Sequence, residues 1–194
     1  MQAKIRNIDK KLLSDNWYRL YKYSYDYCRP DGVWEKHHRE AYDRGNGAAI
    51  LLINPDKEAV VLTRQFRMPT YVNGNEDGMM IEACAGLLDG LDPEDCIKKE
   101  AEEETGYSIS KVTRIMAPYM SPGAVTEILY LFIGVYEDDM KTGRGGGNEE
   151  ETEYLDVIEI PFKKAMQMIS SGEIKDAKTI LLLQHVALYN LLNK

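Results

Sequence analysis

The chain is short of cysteine, of cationic excess and of long apolar runs, and each shortage removes a class of protein. Only three cysteines, Cys28, Cys84 and Cys96, occur in 194 residues. Their number is odd, their spacings are wide and none forms a Cys-x-x-Cys pair. A disulfide framework or a thiolate zinc site is therefore not expected, and a reducing cytoplasm is. Lys and Arg number 24 against 32 Asp and Glu, a net charge of −8. That argues against nucleic acid as a partner, which calls for a basic patch. An anionic nucleotide stays open as a substrate, because local cations or a bound metal reverse the sign of the field at a site. No apolar run approaches the roughly 20 residues of a membrane helix, so no membrane partner is expected. The opening MQAKIRNIDKK is polar and charged, unlike a signal peptide.

What is present is a globular composition, 44% hydrophobic, long enough for one domain with a small appendage. Residues 5–44 read as strands. Within WYRLYKYSYDYC, a period of two puts Trp17, Tyr21, Tyr23, Tyr25 and Tyr27 on one face. Such a face is either a half-buried sheet surface or one that packs on a second subunit or a nucleobase. Arg29-Pro30-Asp31-Gly32 marks a turn, and Val33 to Arg44 reads as the returning strand. Gly47–Asn54 and Glu58–Phe66 read as a hairpin, and Met79–Ala85 as a short strand. A helix is expected over Pro93–Thr105, strands near 112–119, 126–136 and 154–160, and amphipathic helices over Pro161–Ser170 and Lys178–Leu192. No internal repeat appears. The expected class is α+β, divided into an N-terminal antiparallel β subdomain (1–44) and a main domain (45–194).

The most informative stretch is AGLLDGLDPEDCIKKEAEEETGY, residues 85–107. Asp92 is a good N-cap, Pro93 suits the first helical position, Glu94 and Asp95 complement the positive helix end, and Gly106 stops the helix. Near the end stand Glu100, Glu103 and Glu104, three and four apart and so on one helical face. Like charges at that spacing repel by roughly 0.2–0.5 kcal/mol per pair, and carboxylates at a helix C-terminus oppose the macrodipole. By itself an acidic run reads as a solvated face; a hard divalent cation removes the conflict.

The stretch resembles the Nudix box. The family pattern is Gly, five residues, Glu, seven residues, then Arg-Glu-apolar-any-Glu-Glu-any-Gly-apolar. The chain supplies Gly86 and then Lys99-Glu100-Ala101-Glu102-Glu103-Glu104-Thr105-Gly106-Tyr107. It departs from the pattern in three ways. Lys99 stands for the Arg, the interval from Gly86 to Lys99 is one residue short, and Leu91 or Asp92 falls where the early Glu belongs.

Beyond the box, Arg64-Gln65-Phe66-Arg67 and Ser121-Pro122-Gly123 resemble the nucleoside-diphosphate-sugar branch of the family. The runs YDRGNGAAILL, NGNE, IEACAGLLD, YMSPGAVTE and GEIKDAKTILLL resemble its GDP-mannose-cleaving members, nearly end to end.

The resemblance implies an α/β/α sandwich around a mixed sheet, a homodimer joined or swapped through the N-terminal strands, and two or three Mg²⁺ ions, with Mn²⁺ as a possible substitute. It implies metal ligation by Glu100, Glu104, Glu151 and the backbone carbonyl of Ala85, with Glu103 nearby. Ala85, Gly86 and Leu87 would line the substrate, and Gly86 permits close backbone approach. Arg67 would hold a phosphate, although alone it reads as a strand-end surface charge. Glu127 and Glu150 would lie near the substrate, and Asp176 and Lys178 near the sugar or nucleotide. Trp17, His38, Arg39 and Glu40 would contact the nucleotide, some across the dimer. His37 and His38 are not needed as metal ligands.

The implied reaction is hydrolysis of GDP-mannose to GMP and mannose 1-phosphate. The ions would offset charge on the phosphoryl oxygens and acidify a water. The general base is open between Glu127 and a glutamate of 149–153. GRGGG (143–147) reads as a flexible loop, and its glycines suggest that the 149–153 loop after it moves to close the site. ADP-ribose or another nucleotide sugar, a non-catalytic nucleotide-sugar sensor, and an RNA pyrophosphohydrolase are the competing readings. The retained box glutamates count against the sensor, and the charge against RNA.

Overall fold

The computed structural model describes residues 4–147 and 154–192. They form two compact units. One holds the residues up to Asn46 together with Tyr119–Ile128; the other holds Gly47–Pro118 and the chain from Leu129 onward.

The first unit is a three-stranded antiparallel sheet in the order β1 (Lys4–Asp15), β2 (Arg19–Cys28), β3 (Trp34–Asp43). The expected turn joins β2 to β3: Arg29 N donates to Val33 O at 2.8 Å, and Asp31 Oδ1 accepts from Val33 N at 3.2 Å. Tyr21, Tyr23, Tyr25 and Tyr27 do alternate along β2 and are half-buried. Their face is covered from within the same sheet. The Lys10 ammonium sits 3.6 Å from the Tyr21 ring centroid, and the His37 ring lies 5.3 Å from Tyr27. Trp17 departs from the expected row: it falls in the β1–β2 connection, 82% exposed. The segment Tyr119–Ile128 is stitched to the end of β3, with Tyr42 N donating to Ala124 O at 2.7 Å and Thr126 N to Tyr42 O at 3.1 Å. The boundary expected at residue 44 leaves that segment with the other domain.

The second unit is built on a seven-stranded mixed sheet. Its path is β10 (Leu155–Pro161), β5 (Ala59–Phe66), β4 (Gly47–Asn54), β9 (Leu129–Val135), β8 (Val112–Met116). β4 and β9 run parallel and the other pairs antiparallel. The β4–β5 hairpin forms as expected, its turn held by Asn54 Oδ1, which accepts from Asp56 N and Lys57 N at 3.0 Å each. It zips only from Leu52–Asn54 to Ala59–Val61. Beyond that the two strands part, and β6 (Met79–Glu82) and β7 (Cys84–Leu87) fill the gap, β6 on β5 and β7 on β4. This splay brings the residues before and after Ala83 into the middle of the sheet.

Every residue of β4 is buried. Because alternate side chains point to opposite faces, Ala48, Ile50 and Leu52 pack on one side with Cys96, Ile97 and Ala101 of α2 (Pro93–Glu100) and its extension. Ala49, Leu51 and Ile53 point the other way, toward α3 (Phe162–Ser171) and α4 (Ala177–Leu188), which bury Ala165, Met168, Leu182, Leu183 and Val186. The result is helix, sheet, helix, with each fully buried Leu or Ile contributing about 1.5–3 kcal/mol. The first helix in the chain, α1 (Met68–Val72), is a short one between β5 and β6, where the sequence reading named no element. Among the described residues no helix is long and apolar enough to cross a membrane.

Candidate active site

Helix α2 starts as its sequence dictates: Asp92 caps it, accepting from Glu94 N at 2.9 Å, with Pro93 first and Glu94 and Asp95 in the opening turn. Its end differs from the regular helix expected to Thr105. Regular geometry stops at Glu100, and Ala101–Thr105 form a wider π-helical turn that closes at Gly106. Such turns are rare, and they occur mostly where a functional site requires them.

The acidic run splits there. Glu104 is only 1% exposed, and its Oε2 accepts from Ala85 N at 3.3 Å. Glu100 lies against Gly86: a Cβ added at Gly86 would stand 2.4 Å from Glu100 Oε1. Glycine is thus required at residue 86 by the carboxylate beside it. Glu103, expected with these two, turns to the surface and pairs with Lys99 at 3.2 Å. Glu102 is exposed and accepts from Ser108 Oγ at 3.3 Å and Thr142 Oγ1 at 3.1 Å.

Two carboxylates and the Ala85–Gly86 backbone therefore converge. Oxygen donors of this kind suit a hard cation such as Mg²⁺. Burial, followed by Glu104, pushes the Cys84 thiol well above its usual range, and burial with Glu100 pushes Cys96 up to about 11. Among the described residues, no group of three His, Cys, Asp or Glu side chains is arranged to hold an ion. Glu150 and Glu151 lie outside the described residues.

A second cluster joins residues from three parts of the unit. Glu82, at the end of β6, has a side chain 6% exposed. Its Oε2 accepts from Arg67 Nε at 2.7 Å and its Oε1 from Lys178 Nζ at 2.6 Å. Lys178 also reaches Asp176 at 3.1 Å. Asp176 caps α4, accepting from Thr179 N at 3.0 Å, and Thr179 Oγ1 in turn accepts from Ala83 N at 2.7 Å. Burial drives the Glu82 carboxyl upward, but Lys178 and Arg67 outweigh it and hold the group below its ordinary range. Burial drives Lys178 downward, but Glu82 and Asp176 outweigh it and raise the group. Arg67, Asp176 and Lys178 are thus brought together, and Glu82, the common partner of Arg67 and Lys178, was missed. Its one signal in the sequence is a lone carboxylate inside the apolar run Met79–Ala85.

The 149–153 loop expected to move lies outside the described residues, and the glycines before it make close contacts. Gly146 N donates to Glu104 O at 2.9 Å and Thr142 N to Gly106 O at 2.8 Å. A Cβ on Gly145, which has φ +67°, would stand 2.4 Å from Glu104 O. Gly143, Gly145 and Gly146 thus pack closely against the backbone at the end of the acidic turn.

The remaining expected residues lie in the first unit. Trp17 contacts the Tyr18 ring edge-on at 6.4 Å. His38 Nδ1 lies 2.9 Å from Ser24 Oγ, and Arg39 Nη1 donates to the His38 carbonyl at 2.7 Å. Glu127, mostly buried, pairs with Arg44 at 3.5 Å. Arg39 and Glu40 line a cavity of about 610 Å³ together with Tyr119, Pro122, Gly123 and Thr126. His38, Arg39 and Glu40 are exposed on β3.

Comparison with known proteins identifies the family. The NUDIX domain model matches residues 43–179, and the chain belongs to the Nudix family, with the fold and box of a Nudix hydrolase. The model of the GDP-mannose pyrophosphatase NudK N-terminal domain matches residues 4–42. The chain is 53% identical over 185 residues to a GDP-mannose pyrophosphatase of Pectobacterium atrosepticum, covering 95% of each chain. It is 51% identical over 193 residues to those of Shigella flexneri and Escherichia coli O157:H7, covering 100% of each. A crystal structure of an ADP compounds hydrolase shares the fold at a TM-score of 0.71, covering 97% of this chain and 94% of that one, with 18% identity.

Proposed function

We propose that the chain hydrolyses the pyrophosphate bond of GDP-mannose, with Mg²⁺, to GMP and mannose 1-phosphate. Water adds across one P–O bond of the anhydride, its oxygen going to phosphorus and its proton to the leaving phosphate. The observation that carries the reading is the convergence of Glu100 and Glu104 on the Ala85–Gly86 backbone. The full-length likeness to GDP-mannose pyrophosphatases supports the choice of substrate.

In the proposed site, Glu100, Glu104, the Ala85 carbonyl and Glu151 hold two or three Mg²⁺ ions, for which Mn²⁺ can stand in. The ions, when bound, offset the charge that develops on the phosphoryl oxygens. Arg67 orients a phosphate through its guanidinium edge, a task suited to a planar fork of donors. Leu87, Asp176 and Lys178 line the substrate. Lys178 stays charged at neutral pH and so binds rather than shuttles protons. Proton removal from the attacking water falls to Glu127 or to a glutamate of 149–153. Nucleotide contacts are assigned to Trp17, His38, Arg39, Glu40 and Glu150. The proposed setting is a cytoplasmic homodimer, with residues 1–44 as its dimerisation subdomain and 45–194 as the hydrolase domain.

The test is hydrolysis of GDP-mannose and ADP-ribose side by side, with Mg²⁺ and with EDTA, resolving the products. Magnesium-dependent release of GMP and mannose 1-phosphate, faster than any cleavage of ADP-ribose, is expected. Faster ADP-ribose cleavage replaces the substrate and keeps the chemistry. No cleavage of either overturns the reading in favour of a nucleotide-sugar sensor.

A further inference from the structure

Glu82 has no part in the chemistry proposed above, yet it is the least exposed carboxylate in its cluster and each of its oxygens meets a different cation. Arg67 and Lys178 come from far apart in the chain, from the residue after β5 and from the first turn of α4. Removing either would leave a carboxylate buried with half its partners, a costly arrangement.

The bond from Arg67 has a particular form. It uses Nε, at 2.7 Å, and among the described residues neither Nη group makes a hydrogen bond. The Arg67 side chain is 40% exposed, whereas the carboxylate that grips it is 6% exposed. The Arg67 backbone is held as well: its N–H donates to Gly78 O at 2.8 Å and its carbonyl accepts from Thr70 N at 3.0 Å. A guanidinium fixed at the backbone and at Nε has one remaining orientation for its outer edge. That is how a phosphate-binding group is pre-organised, because the freedom is lost before the ligand arrives. The same carboxylate begins the segment that carries the candidate metal site. Ala83 N is tied to Thr179, and Ala85 N to Glu104.

We infer that Glu82 is a positioning residue, which fixes the Arg67 guanidinium through Nε so that its Nη edge is presented to the pyrophosphate of the substrate. The inference rests on the proposed role of Arg67, and the test separates the two. A purely structural ion cluster would stabilise the fold without any coupling between Glu82 and Arg67 in substrate binding.

The experiment is a double-mutant cycle on the full chain: wild type, Glu82→Gln, Arg67→Ala and the double variant, each read as kcat and KM for GDP-mannose, with thermal melts alongside. The same four proteins are titrated calorimetrically with GDP in the presence of Mg²⁺, so that the cycle is read even without turnover. Glu82→Gln is expected to lower kcat/KM roughly 10–100-fold, the range seen when a supporting group is removed, mainly through KM. In the Arg67→Ala background the same change should cost less than about 3-fold, because coupled residues are not additive. Arg67→Lys, which keeps a cation beside Glu82, covers the case in which Glu82→Gln does not fold. One ammonium cannot both hold Glu82 and present a fork, so it should lose nearly as much as Arg67→Ala.

Equal losses from Glu82→Gln in both backgrounds, or near-full activity in Arg67→Lys, overturn the inference. An unaffected Arg67→Ala overturns both it and the phosphate role of Arg67, while hydrolysis of GDP-mannose stands. Absence of turnover in wild type, with non-additive GDP binding, overturns the hydrolysis reading and supports the positioning role.

Discussion

The two sheets of this chain differ in what completes them. In β4 of the seven-stranded sheet all eight residues are buried, and helices from the same chain cover both faces. In β1, β2 and β3 no residue is buried. Ile5, Ile8, Leu12 and Leu13 of β1 stand 42–59% exposed. A small sheet in water needs a covered hydrophobic face to be stable, and contiguous exposed apolar residues mark an interaction surface. The comparison teaches that one unit carries its own core, whereas the strands of the other bury no residue. This agrees with the proposed pairing with a second copy.

The largest expected effect on this contrast is on stability. Leu52→Ala, at a fully buried position, should cost about 2–5 kcal/mol in chemical denaturation. Leu12→Lys, in the open sheet, should cost the isolated chain little but convert dimer to monomer in sedimentation. A monomeric wild type, or an unchanged dimer in the variant, breaks the proposed link between the open sheet and pairing. Next comes the chemistry. Glu104→Gln should lower kcat/KM for GDP-mannose by more than ~100-fold, beyond the 10–100-fold typical of groups that only support a metal ligand, while the melting curve moves little. Full activity in that variant would remove the acidic turn from the site.

Smaller is a pH effect confined to the second unit. Glu82 is held below its ordinary value of 4.5, so its stabilising contribution is present above about that pH and is lost as pH falls through the folded value. Lys178 is held above 10.5, so its contribution is full below that pH and lost as pH rises through the folded value. The stability gap between wild type and Glu82→Gln should therefore be constant at neutral pH and shrink below about 4.5. A gap that persists into acid would mean that packing, not charge, holds the cluster. The smallest effect is at Lys99, which takes the place of the usual box Arg. Lys99→Ala removes an exposed i,i+4 pair with Glu103 and should cost about 0.2–0.5 kcal/mol.

Much of the fold was legible locally. The hairpin of β4 and β5, the Asp92–Pro93 start of α2 and the stop at Gly106 are local matters of period, capping and turn chemistry. The Lys178 start of the last helix was also close, one residue inside the observed Ala177. What escaped were features set by partners far along the chain. A regular helix puts Glu100, Glu103 and Glu104 on one face. The π-helical turn and the reach of Lys99 instead send Glu103 outward. Gly145 and Gly146 pack on the backbone of Glu104, distant in sequence, a contact that no local pattern records. Trp17 fits the period of the tyrosine strand but sits in a turn, because β2 begins only at Arg19.

The sequence by itself determined the family, the box with its acidic run, and the order of most elements. Those depend on residue identity and on spacing within a few helical turns or one hairpin. Only the tertiary structure decided that Glu82 would join Arg67 to Lys178. The parting of β4 from β5 admits a strand between them, and the carboxylate at its end then meets a lysine 96 residues away. No local pattern encodes that meeting, because it arises from how the sheet is assembled.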